Sequence, residues 1–115
     1  MRYDPQPFHT DARRAAASRW GGLIASGWLT CSIAMELAVR RILTDSESAG
    51  SPGVEQIEWL RPVRPGDRLR LTVTVLESRV SSSGRLGIVR WRWELQNQDN
   101  VIVLRMTATS FFDLV

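Results

Sequence analysis

The second half of the chain alternates between apolar and polar residues, which is the pattern of β-strands with one buried face. Every second residue in two of its segments is apolar: Leu69, Leu71, Val73 and Val75, then Val89, Trp91, Trp93 and Leu95. Together with two further apolar segments, the pattern predicts four strands, over residues 54–60, 68–77, 86–95 and 101–112. Turn residues between them predict an antiparallel meander.

A long helix is predicted over residues 23–43. Its first half is apolar on nearly every side, which is typical of a helix that is buried or lies in a membrane. Glu36 and the pair Arg40-Arg41 leave too short an apolar run for a membrane span. Glu36 and Arg40 are four residues apart, so we expect them to pair on the helix surface. Residues 44–53 are predicted to form a loop.

The start of the chain is predicted to be extended and then briefly helical. Pro5 and Pro7 fix their own φ and restrict the residues before them, so we expect no helix in the first ten residues. A short helix is predicted over 11–17, with Thr10 or Asp11 as its cap. The whole pattern predicts an α+β fold in one domain, residues 1–115, in which a curved antiparallel sheet wraps around a long central helix.

Composition narrows the possible functions. All 15 basic residues are Arg, against 12 acidic residues, for a formal net charge of +3. No basic run exceeds two residues, so the pattern does not favour nucleic-acid binding. The only cysteine, Cys31, excludes an internal disulfide and a structural zinc site. No apolar leader follows Met1, so we expect a cytoplasmic protein without membrane contact.

His9 is the only histidine, and Asp4 lies five residues before it. The two prolines between them reduce the entropy that is lost when both side chains are held in one geometry. An imidazole beside a carboxylate is a candidate for proton transfer. The alternative is that His9 belongs to a surface loop and caps or solvates the helix after it.

Four features resemble the MaoC-like dehydratase and (R)-specific enoyl-CoA hydratase family, which has the hot-dog fold. The segment from Asp4 to His9 matches the family's Asp-x4-His motif. The others are the glycine-bounded segment 22–27, the turn 61–67 (RPVRPGD) and a meander that ends in residues 101–112. Compared with the family, the chain begins only three residues before Asp4, so we expect the family's first strand to be missing.

The resemblance implies addition or removal of water across the C2–C3 double bond of an acyl thioester. Asp4 and His9 would hold a water molecule and act as general base and acid. The backbone N–H of Gly27 would stabilise charge on the thioester oxygen, although Gly27 alone could equally be a packing contact. Ser26 and Trp28 are expected to contact the substrate. A mid-helix serine such as Ser32 is expected to bond back to its own helix.

The same resemblance implies partners and alternatives. The expected partner is an acyl-CoA or acyl-carrier-protein thioester, without metal, cofactor, nucleic acid or membrane, in a homodimer or higher homo-oligomer. Two alternatives stay open. The chain could be a non-catalytic thioester-binding or structural subunit, or a hot-dog thioesterase with Glu36 as its carboxylate.

Overall fold

Residues 3–114, which the computed structural model describes, form short helices, one longer helix and a sheet. The helices are α1 (Pro7–Thr10), α2 (Ala12–Ala16) and α3 (Gly27–Ala38), and α3 continues into a π-helical turn (Val39–Leu43). The strands are β1 (Ser48–Trp59), β2 (Arg70–Val80), β3 (Leu86–Gln96) and β4 (Ile102–Asp113). The predicted α+β class is therefore correct.

The strands are antiparallel and lie in the order β1-β4-β3-β2. β2, β3 and β4 follow each other as a meander, as predicted. The extension of the meander to β1 is wrong, because β1 pairs with β4, with Trp59 opposite Leu104. The connection between β1 and β2 explains the difference. It contains Pro62 and Pro65, which cannot donate backbone hydrogen bonds, and it is too long for a tight hairpin.

The core lies between α3 and one face of the sheet. The predicted inward face of β3 is buried at Trp91, Trp93 and Leu95. These side chains belong to one cluster with Ala34 and Ala38 of α3. Alanine has the smallest side chain that still favours a helix, so α3 can approach the sheet closely at these two positions.

The structure corrects the predicted burial of the long helix. Only Thr30, Ala34 and Ala38 of α3 are buried. Trp28 is 62% exposed and Met35 is 48% exposed. In this single chain the sheet therefore packs against one side of α3 and leaves another apolar side uncovered.

The start of α3 also differs from the prediction. The helix begins at Gly27 and not at Leu23, because Ser26 is its N-cap and accepts a hydrogen bond from the Trp28 N–H at 3.3 Å. The residues before the cap are held in other bonds. Ile24 donates to the Phe8 carbonyl at 3.0 Å, and Ala25 donates to the Val63 carbonyl at 2.8 Å.

Two shorter segments differ as well. Asp4 to Gln6 are not helical, as predicted, but Pro7–Thr10 forms the single turn α1. Pro7 is tolerated there because the first N–H of a helix has no partner within the helix. Residues 48–53 of the predicted loop belong to β1, where they pair irregularly with β4 around Gly50 and Gly53, both with positive φ.

Two further features concern the predicted cap of α2 and the apolar character of the helices. Asp11 caps α2 and accepts from the Arg13 and Arg14 N–H groups. Within residues 3–114, none of the helices has the length and apolar character needed to cross a membrane.

Leu104 tests the position of the core. It is fully buried, whereas Val80, at the end of β2, is 60% exposed. We expect Leu104→Ala to lower the free energy of unfolding by about 2–5 kcal/mol and Val80→Ala by about 0.5 kcal/mol or less. Urea denaturation followed by tryptophan fluorescence measures both. Equal losses in the two variants would contradict this assignment of the core.

Candidate functional site

The structure brings the predicted pair together. His9 Nε2 lies 3.3 Å from Asp4 Oδ2, and the two side chains are only 6% and 16% exposed. The extended residues after Asp4 and the single turn α1 produce this approach. His9 is therefore not a solvated loop residue, which excludes the alternative interpretation of this segment.

The hydrogen bonds of His9 determine which ring nitrogen carries the proton. His9 Nδ1 lies 2.8 Å from the carbonyl oxygen of Ile24. A carbonyl oxygen only accepts hydrogen bonds, so Nδ1 is the donor. The other ring nitrogen, Nε2, faces Asp4: it can accept a proton when the ring is neutral, and it donates a hydrogen bond when the ring is protonated.

Both oxygens of the Asp4 carboxylate accept hydrogen bonds. Ser26 Oγ donates to Oδ2 at 2.6 Å, and Gln6 Nε2 donates to Oδ1 at 2.9 Å. These bonds stabilise the charged form, so they lower the pKa of Asp4, with the bond from Ser26 as the largest cause and the charge of His9 as a smaller one. Asp4 is therefore an ionised acceptor at neutral pH.

Ser26 does not lie where the sequence suggested. Its side chain is fully buried behind Asp4, and it does not line the cavity into which Asp4 and His9 face. The prediction that Ser26 contacts the substrate directly is therefore corrected: its side chain contacts Asp4 instead. Ser32, by contrast, donates to the Trp28 carbonyl at 2.9 Å, as predicted for a mid-helix serine.

A cavity of about 360 Å³ adjoins the Asp4–His9 pair. Gly27 and Trp28 line it, as do aromatic side chains that sequence analysis did not assign to the site: Phe8, Trp20 and Trp59. The charged and polar side chains that line it are Asp4, Gln6, His9 and Arg61. Such a cavity can hold an apolar group and present a polar group to the imidazole and carboxylate.

Gly27 is both a packing position and the first residue of α3. Trp59 Nε1 donates to the Gly27 carbonyl at 2.9 Å. A Cβ atom at position 27 would lie 2.5 Å from atoms of the Trp59 indole. The first N–H of a helix has no acceptor within the helix and lies at its positive end. Gly27 therefore lies beside the cavity at the start of α3 and offers a surface on which Trp59 packs.

The turn 61–67 lines the cavity with Arg61 and Pro62 and holds one of its walls through Arg64. Asp67 Oδ2 accepts from the Arg64 N–H at 2.8 Å, and this bond, with one from Gln98, lowers the pKa of Asp67. The Arg64 guanidinium donates to the Trp20 carbonyl at 2.6 Å. Through Arg64, the motif joins the segment between β1 and β2 to Trp20 in the cavity wall.

The remaining candidates lie elsewhere. Glu36 is 60% exposed and pairs with Arg40 at 2.8 Å, as predicted, and it does not line the cavity. The thioesterase alternative therefore has no carboxylate from Glu36 at the site. Among the residues that the structure describes, there is no group of three or more His, Cys, Asp or Glu side chains that could hold a metal ion.

Gln6 and Trp59 line the cavity but were not predicted from the sequence, because little in the sequence points to them. Gln6 stands between two prolines, and that position fixes its backbone beside Asp4. Trp59 ends β1 directly before the Arg61–Asp67 motif. Neither signal indicates which cavity the side chain faces, because Trp59 reaches Gly27 across 32 residues of sequence.

The contact between Gly27 and Trp59 can be tested by a double-mutant cycle. We expect Gly27→Ala to lower the free energy of unfolding by about 1–3 kcal/mol, because the new methyl group overlaps the indole. The loss should be smaller in a Trp59→Ala background. Gly87→Ala is the matched control, since its nearest contact would be an ordinary 3.4 Å from Leu114. Urea denaturation gives all the values, and an unchanged loss in the Trp59→Ala background would contradict the contact.

The chain is similar to a known protein family and to solved structures. The family model described as "MaoC like domain" matches residues 1–92. The crystal structure of the MaoC-like dehydratase from Rhodospirillum rubrum has a TM-score of 0.87 and 39% sequence identity to this chain, over 96% of this chain and 76% of that one. The (R)-hydratase PhaJ1 from Pseudomonas aeruginosa has a TM-score of 0.75 and 26% identity, over 96% and 65%.

A third similar structure identifies the fold. Rv0216 from Mycobacterium tuberculosis, which has a double hot-dog fold, gives a TM-score of 0.78 with 18% identity, over 94% of this chain and 33% of that one. The antiparallel sheet against α3 is therefore the hot-dog fold, as the sequence resemblance predicted.

Proposed function

The chain belongs to the MaoC-like domain family, a family of hydratases and dehydratases, and on this premise we propose that it adds water to, or removes it from, the C2–C3 double bond of an acyl thioester. One observation carries the proposal. His9 Nε2 and the ionised Asp4 carboxylate lie 3.3 Å apart beside a cavity with aromatic walls.

In the proposed reaction, one water molecule contacts both His9 Nε2 and Asp4 Oδ2. His9 Nε2 removes a proton from the water as its oxygen bonds to C3, and the electrons of the double bond move towards the thioester oxygen. The protonated imidazole then returns a proton to C2, which completes the addition of one water. Asp4, with its lowered pKa, remains an anion that orients the water and stabilises the imidazolium.

Gly27 has a separate proposed role. Negative charge develops on the thioester oxygen during the attack, and Gly27 lines the same cavity as the first residue of α3, where the helix is positive. An N–H donor to such an oxygen contributes about 2.7–4 kcal/mol to the stabilisation of a transition state in other enzymes. The close contact with Trp59 allows only glycine at this position, so the packing and charge-stabilising roles do not compete.

The cavity supports an acyl thioester as the substrate. Its aromatic walls fit the apolar acyl chain, and Trp28, 62% exposed, would contact the part of the substrate that leaves the cavity. The thioester would be carried by coenzyme A or by an acyl-carrier protein, since both present the same acyl thioester group. PhaJ1, which this chain resembles, is an (R)-hydratase.

Hydration of crotonyl-CoA, followed by the loss of its enoyl absorbance, tests the proposal. We expect Asp4→Asn and His9→Ala each to lower kcat/KM by about 100-fold to 10,000-fold, because each removes a group that contacts the reacting water. Asp11→Asn is the matched control. Asp11 is exposed and only caps α2, and Asn is an equally good cap, so its rate should match the wild type. Activity that survives both substitutions at the pair would exclude this mechanism.

A homo-oligomer is the second part of the proposal. Trp28, Met35, Val39 and Ile42 form an exposed apolar stripe along α3 and its π-helical extension. Within residues 3–114, β1 pairs with a strand on only one side, and it is exposed over most of its length. Apolar stripes and open strand edges are surfaces through which chains associate.

Light scattering after size-exclusion chromatography tests the association. We expect a dimer or larger oligomer for the wild type, and a shift towards monomer for Met35→Glu, because the substitution puts a charge on the apolar stripe. Ser82→Glu adds the same charge to the exposed hairpin between β2 and β3 and should leave the oligomer unchanged. A monomeric wild type would refute the proposed association.

A further inference from the structure

We infer that Ser26 is a positioning residue for the proposed reaction: its buried hydroxyl holds the Asp4 carboxylate at the distance from His9 Nε2 that one shared water requires. This inference rests on the proposed function and deepens it.

The hydrogen bond from Ser26 involves the oxygen that matters for the reaction. Ser26 Oγ donates to Asp4 Oδ2 at 2.6 Å, and the same Oδ2 lies 3.3 Å from His9 Nε2. The other oxygen, Oδ1, is held by Gln6, which is exposed. Without Ser26, Oδ2 would lose the donor that fixes its position, and the carboxylate could rotate about its side-chain bonds away from the imidazole.

Ser26 is itself held firmly. Its side chain is fully buried, its hydroxyl accepts from the Trp28 N–H, and its carbonyl accepts from the Thr30 N–H at 3.0 Å. Ser26 is thus part of the first turn of α3. Since Gly27 is the next residue, the carboxylate and the proposed oxyanion donor are positioned by two adjacent residues of one rigid element.

The competing explanation is that Ser26 only caps α3. Substitution by glycine distinguishes the two roles. Gly is itself a common N-cap residue and costs little stability there, but it has no hydroxyl to donate to Asp4. Ser26→Gly should therefore retain the fold and lose the bond, and Ser26→Ala should lose both the bond and the cap.

The pH dependence gives a readout that a cap alone would not move. The donated bond stabilises the charged carboxylate and lowers its pKa, so removal of the bond should raise that pKa towards its ordinary value. The charged or titratable groups that share the cavity with Asp4 are His9 of α1 and Arg61, and both are unchanged in the variant. The acid limb of the kcat/KM profile that belongs to Asp4 should therefore move to higher pH.

The experiment compares wild type, Ser26→Gly, Ser26→Ala and Asp11→Gly. Asp11→Gly removes the N-cap side chain of α2, which is exposed and outside the cavity, and serves as the matched control. We expect Ser26→Gly and Ser26→Ala to lower kcat by about 10-fold to 100-fold, the range for a misplaced reacting group. KM should change by less than about threefold, because the substrate does not contact Ser26. Asp11→Gly should retain the wild-type rate and pH profile.

The pKa of Asp4 is also measured directly, by ¹³C NMR of the carboxyl group without substrate. A higher Asp4 pKa in Ser26→Gly, together with the loss in kcat, supports the inference. A folded Ser26→Gly with kcat within about twofold of an active wild type, or with an unchanged Asp4 pKa, overturns it. A wild type that hydrates no enoyl thioester overturns the proposed function, and with it the catalytic role of Ser26, whatever the NMR result.

Discussion

The hydrogen bonds of the three residues before α3, Ile24 to Ser26, are the constraint on which the site depends. Ile24 bonds to α1 twice, through its N–H to Phe8 and through its carbonyl to His9 Nδ1. Ala25 bonds to Val63 in the strand connection, and Ser26 bonds to Asp4 and begins α3. One short segment therefore joins the N-terminal motif, the turn 61–67 and the helix. If residues 23–26 were helical, as their sequence suggests, none of these partners could be reached.

The same segment determines the chemistry of the pair. The Ile24 carbonyl places the proton of neutral His9 on Nδ1, so that Nε2 can accept a proton. The hydrogen bonds from Ser26 and Gln6 lower the pKa of Asp4 and so stabilise its charged form. The two adjacent groups therefore have different hydrogen-bond partners: Asp4 accepts from Ser26 and Gln6, whereas His9 donates through Nδ1 to a backbone carbonyl and turns Nε2 towards Asp4. A separation of acid–base roles by environment is the usual way in which paired titratable groups act at neutral pH.

Sequence patterns predicted the parts of the structure that depend on local rules. The alternation at Trp91, Trp93 and Leu95 predicted the buried face of β3, and the Asp-x4-His spacing predicted the pair at the site. The predicted start of α3 at Leu23 was wrong. Apolar periodicity gives no sign that Ser26 caps the helix or that the residues before it bond to distant parts of the chain. The predicted place of β1 in the sheet was wrong, because β1 pairs with β4, which lies far away in the sequence. Trp59 was missed for the same reason.

Ser26 and Gly27 illustrate how the fold and the proposed chemistry depend on each other. Serine at 26 ends the extended segment, caps α3 and donates to Asp4. Glycine at 27 allows the Trp59 indole to lie against the backbone, and that indole closes one wall of the cavity. A bulkier residue at 27 would displace the wall, and an apolar residue at 26 would free the carboxylate. The first turn of α3 must therefore leave room for the Trp59 indole at position 27 and present a hydroxyl donor to Asp4 at position 26.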